Sequence, residues 1–376
     1  MPEKVTKEDG VDTSKPTAVF EPKEGRPYTL SIGLPGSIVA KLVFLALDLS
    51  TLMINLYSAQ TPELQTLLVG QIARALAVFC VDEVVIFDDG QTATSNSNVD
   101  ETQDNSYTGY TDPHYFLAHI LAYLETPPYL RKQLFPMHPD LRFAGSLPSL
   151  DMPHHLRRTD RCQYREGIAI SQDLKIKTHG DPIKKHVPKV PKGTTQVDTG
   201  LHQAVFVSSV VPAKTRLTVK FRDSHPSSIP QDELMATAVA PSVPREKAGY
   251  YWGYSTRSAS SLSAVLTECP FDGGYDLTIG TSERGLSLSD LNESEAKAQA
   301  VPKFHHMMIV FGGVAGLEVA VKADEELAQL GVKSPEDLFD RWVNLVPGQG
   351  SRTIRTEEAI WLGLMGLRDL VLKKGN

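Results

Sequence analysis

The first part of the chain alternates between strand-like and helix-like hydrophobic patterns. Residues 27–34 are rich in β-branched and aromatic side chains between proline and glycine, which predicts a short strand. Thr61 and Pro62 form a helix start, and apolar residues three and four apart predict a helix that ends near Cys80. Residues 81–89 contain four consecutive apolar residues, which is typical of a buried parallel strand. Strand, helix and strand in succession predict an α/β sheet.

The pattern changes in the middle of the chain. Residues 91–112 are polar and are predicted to form a loop, followed by helices over about 113–124 and 129–134. From 151 to 245, three short β-like runs separated by proline and glycine, GIAIS, QAVFVSS and RLTVKF, predict a small barrel or sandwich inserted into the α/β domain.

From Tyr251 onward the α/β pattern resumes. The expected elements are a serine-rich helix over 255–266, a strand over 275–281, an acidic helical linker, a strand over 305–313, a helix over 333–341, a strand over 342–346 and a terminal helix over 356–372. The predicted organisation is a disordered tail (1–25), the first part of an α/β domain (26–150), an inserted β domain (151–245) and the second part of the α/β domain (246–376).

One segment does not fit this alternation. Residues 38–57 are almost continuously apolar, but Lys41 and Asp48 lie inside the segment, and each would be costly in lipid. We therefore expect no membrane span. One hypothesis is that the segment derives from a retained intron. If it is genuine, it must pack as an extra helix or leave an exposed apolar patch.

Composition narrows the class of protein but names no activity. A chain of 376 residues is long enough for two packed cores. The three cysteines form no CxxC pair, which argues against a zinc site or a disulfide framework and fits a reducing, intracellular compartment. The N-terminal residues are polar and lack the apolar core of a secretory signal.

The distribution of charge indicates a candidate surface for nucleic acid. The net charge is −7, yet residues 151–192 contain ten Lys or Arg against five Asp or Glu. Such a run is either a solvated loop or a positive surface that contacts phosphates. The candidate side chains are Arg157, Arg158, Arg161, Arg165, Lys184 and Lys185.

Three glycine-bearing turns follow the last three predicted strands. They cover residues 280–285, 311–318 and 344–359, at the strand ends where open α/β sheets bind ligands. Singly, each turn could simply close a strand into a helix. The third is more specific, because PGQGSRTIRTEEA places two glycines, three hydroxyls and two arginines before a helix. No GxGxxG follows the first strand and no GKS or GKT occurs, which argues against a Rossmann dinucleotide site and a P-loop.

Two pairs of adjacent histidines invite a metal interpretation: His154 with His155, and His305 with His306. Adjacent residues on a strand point to opposite faces, so neither pair should share one ion. We therefore expect no metal.

The three turns resemble motifs of the SPOUT methyltransferases. Further segments resemble the same family in the same order along the chain: GQIARA, FCVDE, YREGI, YWGY and GYDLTIGTSERG. The resemblance extends from about Arg26 onward, and it is to the eukaryotic and archaeal branch that carries an OB-like insertion. It implies an α/β domain with a trefoil knot near the carboxyl end, an inserted OB-like β-barrel, S-adenosyl-L-methionine (AdoMet) as methyl donor, and a homodimer. The implied reaction is methylation of RNA at uridine N3, in ribosomal RNA. The nucleus or nucleolus is the implied location, with the spindle and the cytoplasm as further ones.

The resemblance also assigns roles to residues of the three turns. The expected cofactor-binding residues are Gly312, Gly313, Gly316, Asn344, Gly348, Gln349, Gly350, Ser351, Arg352 and Thr353. Arg284 is expected to face the methyl group and the substrate, because a guanidinium can stabilise negative charge that spreads onto the uracil carbonyls. Glu283 is the candidate base. The alternative interpretation is that Glu283 and Arg284 form a surface ion pair.

The implied chemistry restricts how RNA must bind. N3 lies on the Watson–Crick edge, so the target base must be single-stranded or flipped out. The barrel and its basic residues would then hold the RNA backbone. The competing function is a non-catalytic RNA-binding or spindle and centromere adaptor, although an adaptor would have no need of Arg284, Asn344 and the complete third turn.

Overall fold

The structure is a computed structural model that describes residues 24–40, 61–91, 106–170, 193–222, 233–293, 301–313 and 315–375. Within these ranges the chain forms a six-stranded sheet and a closed five-stranded barrel. The predictions made for residues 1–25, 38–57 and 91–112 fall mostly outside the described ranges.

The sheet gathers strands from both ends of the chain. Its strands are β1 (Thr29–Pro35), β2 (Glu83–Phe87), β8 (Ser255–Ala259), β9 (Leu277–Ser287), β10 (His306–Val310) and β11 (Arg341–Asn344). They lie in the order β11-β9-β10-β1-β2-β8, and every neighbouring pair is parallel. All carboxyl ends therefore lie along one edge of the sheet, which confirms the predicted α/β class and brings the three glycine-bearing turns to the same edge.

Helices cover the faces of this sheet. They are α1 (Pro62–Val78), α2 (Pro113–Glu125), α3 (Pro128–Leu134), α4 (Val243–Ala248), α5 (Leu262–Thr267), α6 (Leu288–Glu293), α7 (Leu317–Ala323), α8 (Glu325–Gln329), α9 (Thr356–Gly366) and α10 (Arg368–Lys374). Helix α1 starts as predicted, because Thr61 Oγ1 accepts a hydrogen bond from the Leu64 N–H at 3.3 Å. Leu68, Ile72 and Leu76 form its buried face, and each contributes roughly 1.5–3 kcal/mol by burial. Among the described residues, no helix is both long and apolar enough to cross a membrane.

The inserted β domain is a closed barrel. Its strands are β3 (Tyr164–Ala169), β4 (Thr195–Asp198), β5 (Ala204–Val207), β6 (Arg216–Phe221) and β7 (Glu233–Val239), in the closed order β3-β4-β5-β7-β6. Three predicted β-like runs correspond to β3, β5 and β6, whereas β4 and β7 were not predicted. Strand β4 is only four residues long, and ELMATAV in β7 contains few residues that favour strands. Valine, leucine and phenylalanine side chains fill the interior.

Two helix predictions in the last third of the chain are wrong. The first half of the serine-rich segment, Ser255–Ala259, pairs with β2 as an edge strand, and Ser261 then caps α5 by accepting from the Ala264 N–H at 3.2 Å. Segment 333–341 forms only a 3₁₀ turn, Pro335–Leu338, before the chain enters β11. Sheet pairing overrides helix propensity in the serine-rich segment. The predicted terminal helix is divided at Leu367 into α9 and α10.

A buried ion network joins the barrel to the α/β domain. Arg216 on β6 donates to both oxygens of Glu125, at the end of α2, at 2.6 and 2.9 Å, and to Glu166 on β3 at 2.8 Å. Glu166 also accepts from the Trp252 indole N–H at 2.7 Å. Burial alone would raise the pKa of the Glu125 carboxyl, but Arg216 and His154 outweigh that effect and hold the pKa well below its usual range. Both carboxylates are therefore paired and nearly inaccessible.

Candidate active site

The first turn, residues 281–285, leaves the β-ladder. Strands β9 and β11 pair as far as Gly280 and Trp342 and resume at Leu286 and Val343, so five residues of β9 stand outside the register. Such an irregularity in a ladder re-aims side chains. It presents Glu283 and Arg284 at the carboxyl edge of the sheet, where both side chains are exposed.

Asn344, the last residue of β11, connects the first and third turns. Its Nδ2 donates to the backbone carbonyl of Glu283 at 2.7 Å, and its Oδ1 accepts from the Val346 N–H at 3.0 Å. One amide thus fixes the spacing of the two turns.

The second turn, which follows β10, is bonded to both of the others. The hydroxyl of Thr356, at the start of α9, donates to the Gly312 carbonyl at 3.1 Å, and the Thr281 hydroxyl donates to the Val310 carbonyl at 3.1 Å. The Arg284 guanidinium lies 3.6 Å from the Glu318 carboxylate. The three turns therefore converge on one continuous surface.

The Arg284 ion pair is not the one that the sequence suggested. Its partner is Glu318 of the second turn rather than its neighbour Glu283, and 74% of the Arg284 side chain remains exposed. A pair this open adds little stability. The guanidinium is accordingly free to exchange Glu318 for a ligand.

Glycine is required at several positions in the turns. Gly316 and Gly348 have φ of +76° and +73°, in the left-handed region. Gly312 lies against the backbone of Gly316, where an added methyl group would come within 3.0 Å. The second turn also rests against the ends of β1 and β2, because a methyl group at Gly313 would lie 3.3 Å from Ser37 Oγ and 3.4 Å from Asp89 Oδ2.

Gly285→Ala should destabilise the junction of β9 and β11. The new methyl group would lie 2.5–2.7 Å from the Val343 backbone, which has no flexible side chain that can move aside. We expect the free energy of unfolding in urea to fall by about 1–3 kcal/mol. Gly145→Ala is the matched control, since its methyl group would enter open space. Equal stability of the two variants would contradict the close approach.

A pocket of about 520 Å³ opens beside the third turn. Its lining residues are Val346, Gln349, Gly350, Ser351, Ile354, Glu358, Trp361 and Leu362. Gln349 Nε2 donates to the Ser351 carbonyl at 3.0 Å, and the Ser351 hydroxyl donates to the Thr353 carbonyl at 2.8 Å. These bonds hold the loop open while Arg352 stays exposed. Gly350 has no heavy atom within 4 Å of the position of an added methyl group, so a ligand can approach its backbone closely.

The basic residues before the barrel fall into different environments. Arg157, Arg158 and Arg161 are exposed, although the Arg158 Nε donates to the Gly200 carbonyl at 3.2 Å. Arg165 was expected to grip RNA, and this prediction is wrong. Its side chain is buried and donates to the carbonyls of Thr199, Leu156 and Arg157. Lys184 and Lys185 lie outside the described residues.

The expectation that His154 and His155 lie on a strand requires a second correction. His154 and His155 lie in a turn rather than on a strand, and their Nε2 atoms approach the same Glu125 carbonyl at 3.0 and 2.6 Å. Burial lowers the pKa of His155 to about 3, so its ring is neutral at physiological pH.

A polar cluster that the sequence did not predict lies at the 3₁₀ turn after α3. His119, His138 and Asp140 place possible ligand atoms within 4.8 Å of one another. Asp140 also accepts from the Thr108 N–H at 2.8 Å and from its hydroxyl at 2.6 Å. Each imidazole has a nitrogen 3.2 Å from the carboxylate, so hydrogen bonds within the fold account for the arrangement.

Sequence reasoning also missed Ser37 and Asp89. Ser37 Oγ donates to Asp89 Oδ2 at 2.5 Å, and both residues are buried. An available signal was the acidic pair Asp88 and Asp89 directly after a buried strand, since β2 ends at the same edge as the glycine-bearing turns.

Comparison of the sequence with known proteins identifies a family and several relatives that this chain resembles. A family model described as a putative RNA methyltransferase matches residues 29–367. The human 28S rRNA (uridine-N(3))-methyltransferase is 43% identical over 356 residues, which are 93% of this chain and 81% of the human protein. The Drosophila melanogaster protein of the same name is 39% identical over 347 residues, 91% of this chain and 62% of its own length. A putative methyltransferase of Caenorhabditis elegans is 31% identical over 371 residues, 95% of this chain and 84% of the worm protein.

Proposed function

Because the chain belongs to this family of RNA methyltransferases, we propose that it transfers a methyl group from AdoMet to N3 of a uridine in ribosomal RNA. The convergence of three glycine-bearing turns at one edge of the sheet, the third of which lines a pocket, carries the proposal. The substrate and the atom are those named for the human and fly relatives.

The residues of the pocket fit AdoMet. The volume lies within the range of small-molecule sites, and the exposed side chains of Trp361 and Leu362 provide an apolar wall. Gly350 leaves its backbone open to an adenine edge, and Gln349 and Ser351 bring polar groups to the rim. Gly312, Gly313, Gly316, Asn344, Gly348, Arg352 and Thr353 complete the proposed binding set. When bound, AdoMet supplies an electrophilic methyl group on a sulfonium.

The chain's own contribution is alignment and electrostatics. Asn344 holds the first turn at a fixed distance from the third, so Arg284 stands at the rim of the site. Its guanidinium stays protonated and can donate to a uracil carbonyl as N3 loses its proton. Arg157, Arg158 and Arg161, exposed ahead of the barrel, would contact RNA phosphates.

Two finer features of the fold belong to the same proposal. The barrel has the strand number and closure of an OB fold, and the passage from β11 to α9, which returns to bond Gly312, suits a chain that is threaded as a trefoil knot. A homodimer would cover exposed apolar side chains on α1 and α9 that do not line the pocket: Leu64, Leu67 and Met365. We also assign the protein to the nucleus or nucleolus, where its proposed substrate is made.

A non-catalytic adaptor is the competing function, and AdoMet binding separates the two. In a calorimetric titration we expect AdoMet to bind with about −7 kcal/mol, a dissociation constant on the order of 10 μM. Incubation with ribosomal RNA and labelled AdoMet should then yield N3-methyluridine on nucleoside analysis. If millimolar AdoMet gives no heat of binding, the proposal of an enzyme is overturned in favour of the adaptor.

A further inference from the structure

The carboxyl edge of the sheet extends beyond the three glycine-bearing turns. In the sheet order, β10 is followed by β1 and then β2, so the ends of these strands adjoin the second turn. Ser37 follows β1 and Asp89 follows β2. Both side chains lie against Gly313, at 3.3 and 3.4 Å from the position of an added methyl group.

Asp89 is unusually placed for a carboxylate. The residue is 1% exposed, and its Oδ2 accepts the Ser37 hydroxyl at 2.5 Å. Gln91 donates to both carboxylate oxygens over longer distances, from its N–H to Oδ1 at 3.4 Å and from its Nε2 to Oδ2 at 3.2 Å. No arginine or lysine is paired with it among the described residues. Burial raises the pKa of the Asp89 carboxyl more than the Ser37 hydrogen bond lowers it. A carboxylate of this kind is a stronger base than an exposed one.

Resting on the proposed uridine-N3 methylation, we propose that Ser37 and Asp89 form the proton acceptor of the reaction. The N3–H proton passes to Ser37 Oγ while the hydroxyl proton of Ser37 passes to Asp89 Oδ2. The N3 electron pair forms the bond to the methyl carbon, and the methyl–sulfur pair remains on sulfur. Asp89 is left protonated and returns its proton to solvent after product release. Ser37 is the more open of the pair, with 6% of its surface exposed.

This assignment replaces Glu283 as the base. The Glu283 side chain is exposed, and the contact that Asn344 makes to this residue is to its backbone carbonyl. The other charged groups near the dyad are Asp88, directly after β2, His114 on α2, and the Arg284–Glu318 pair across the second turn. His114 Nε2 lies 3.6 Å from Asp88 Oδ1, so its nearest acid is the neighbour of Asp89.

Asp89→Asn tests the dyad. In single-turnover methylation of ribosomal RNA with saturating AdoMet, we expect the rate to fall roughly 10²-fold or more. AdoMet affinity by calorimetry should change less than about threefold. Ser37→Ala should lower the rate in the same direction, and Asp89→Glu should recover part of it. The matched control is Asp88→Asn, which changes the neighbouring, more exposed acid and should leave the rate nearly unchanged.

The pH profile gives an independent measurement. The wild-type rate should rise with pH and level off above the pKa of Asp89, because the carboxylate must be ionised to accept a proton. The inflection should persist in His114→Gln, vanish in Asp89→Asn, and match a carboxyl titration seen by infrared difference spectroscopy. A normal rate in Asp89→Asn, or an equal loss of AdoMet affinity and rate, would overturn the dyad. Failure of the wild type to methylate RNA would instead overturn the proposed function.

Discussion

Arg284→Ala should abolish methylation while leaving AdoMet binding intact. The Arg284 side chain is 74% exposed, and its guanidinium lies 3.6 Å from Glu318. Removing this side chain should therefore not disturb the fold. If the guanidinium stabilises charge on the uracil carbonyl, its loss should lower kcat by roughly 10²–10³-fold, the cost of one missing donor to a developing oxyanion. The AdoMet dissociation constant should change by less than about threefold. Steady-state kinetics and calorimetry measure the two quantities separately.

Glu318→Gln distinguishes a catalytic role from a structural one. If Arg284 only joins the first turn to the second, removing the charge of its partner should reproduce the defect of Arg284→Ala. If Arg284 acts on the substrate, Glu318→Gln should retain most of the activity, because the guanidinium is still present and exposed. The activity of Arg284→Lys should lie between those of Arg284→Ala and Glu318→Gln, since the ammonium keeps the charge but lacks the planar guanidinium with its paired donors. Parallel loss of AdoMet affinity and turnover in Arg284→Ala would show that the arginine serves the cofactor.

The sequence predicts the sheet and its ligand edge because both depend on local patterns. Runs such as 84–87 and 307–311 are apolar over four or more residues, and each is followed by a turn rich in glycine or acids. In a parallel sheet such turns must lie on one edge, so their convergence follows from topology alone. The serine-rich strand β8 could not be predicted in this way. Its position depends on pairing with β2, about 170 residues earlier in the chain.

Partners distant in sequence explain what was missed at the site. Arg165 looks like its exposed neighbours in a basic run, yet the carbonyls that accept its hydrogen bonds include that of Thr199, which directly follows the neighbouring strand β4 and lies 34 residues further along the chain. The alternative interpretation of Arg284 paired it with its neighbour Glu283, whereas the fold supplies Glu318. Ser37 follows β1 and Asp89 follows β2, so their side chains become hydrogen-bonded only when these two strands align. Periodicity and motif spacing contain no information about such pairs.

Arg216→Leu should be the most destabilising single change at the junction of the barrel and the α/β domain. It would leave Glu125 and Glu166 buried without their shared cation, with side-chain exposures of only 7% and 4%. Removing one partner of a buried pair costs about 3–5 kcal/mol, and the lower end applies because the Arg216 side chain keeps 29% exposure. Arg222→Leu, at the exposed residue directly after the same strand, should cost under about 0.5 kcal/mol. Urea unfolding measures both variants.

The pH dependence of the stability lost in Arg216→Leu identifies the cause of that loss. In the wild type the pKa of Glu125 is depressed, so its contribution to stability is present above the unfolded pKa and is lost only as pH falls through the folded one. In Arg216→Leu the buried carboxyl should have a raised pKa, and protonation then relieves the unpaired charge. The difference in unfolding free energy between wild type and variant should therefore be largest near neutral pH and shrink as pH falls toward about 4. Adding Glu125→Gln to Arg216→Leu should restore part of the stability at neutral pH, since the double variant no longer buries that charge. A loss independent of pH would mean that Arg216 stabilises the junction by packing rather than by charge.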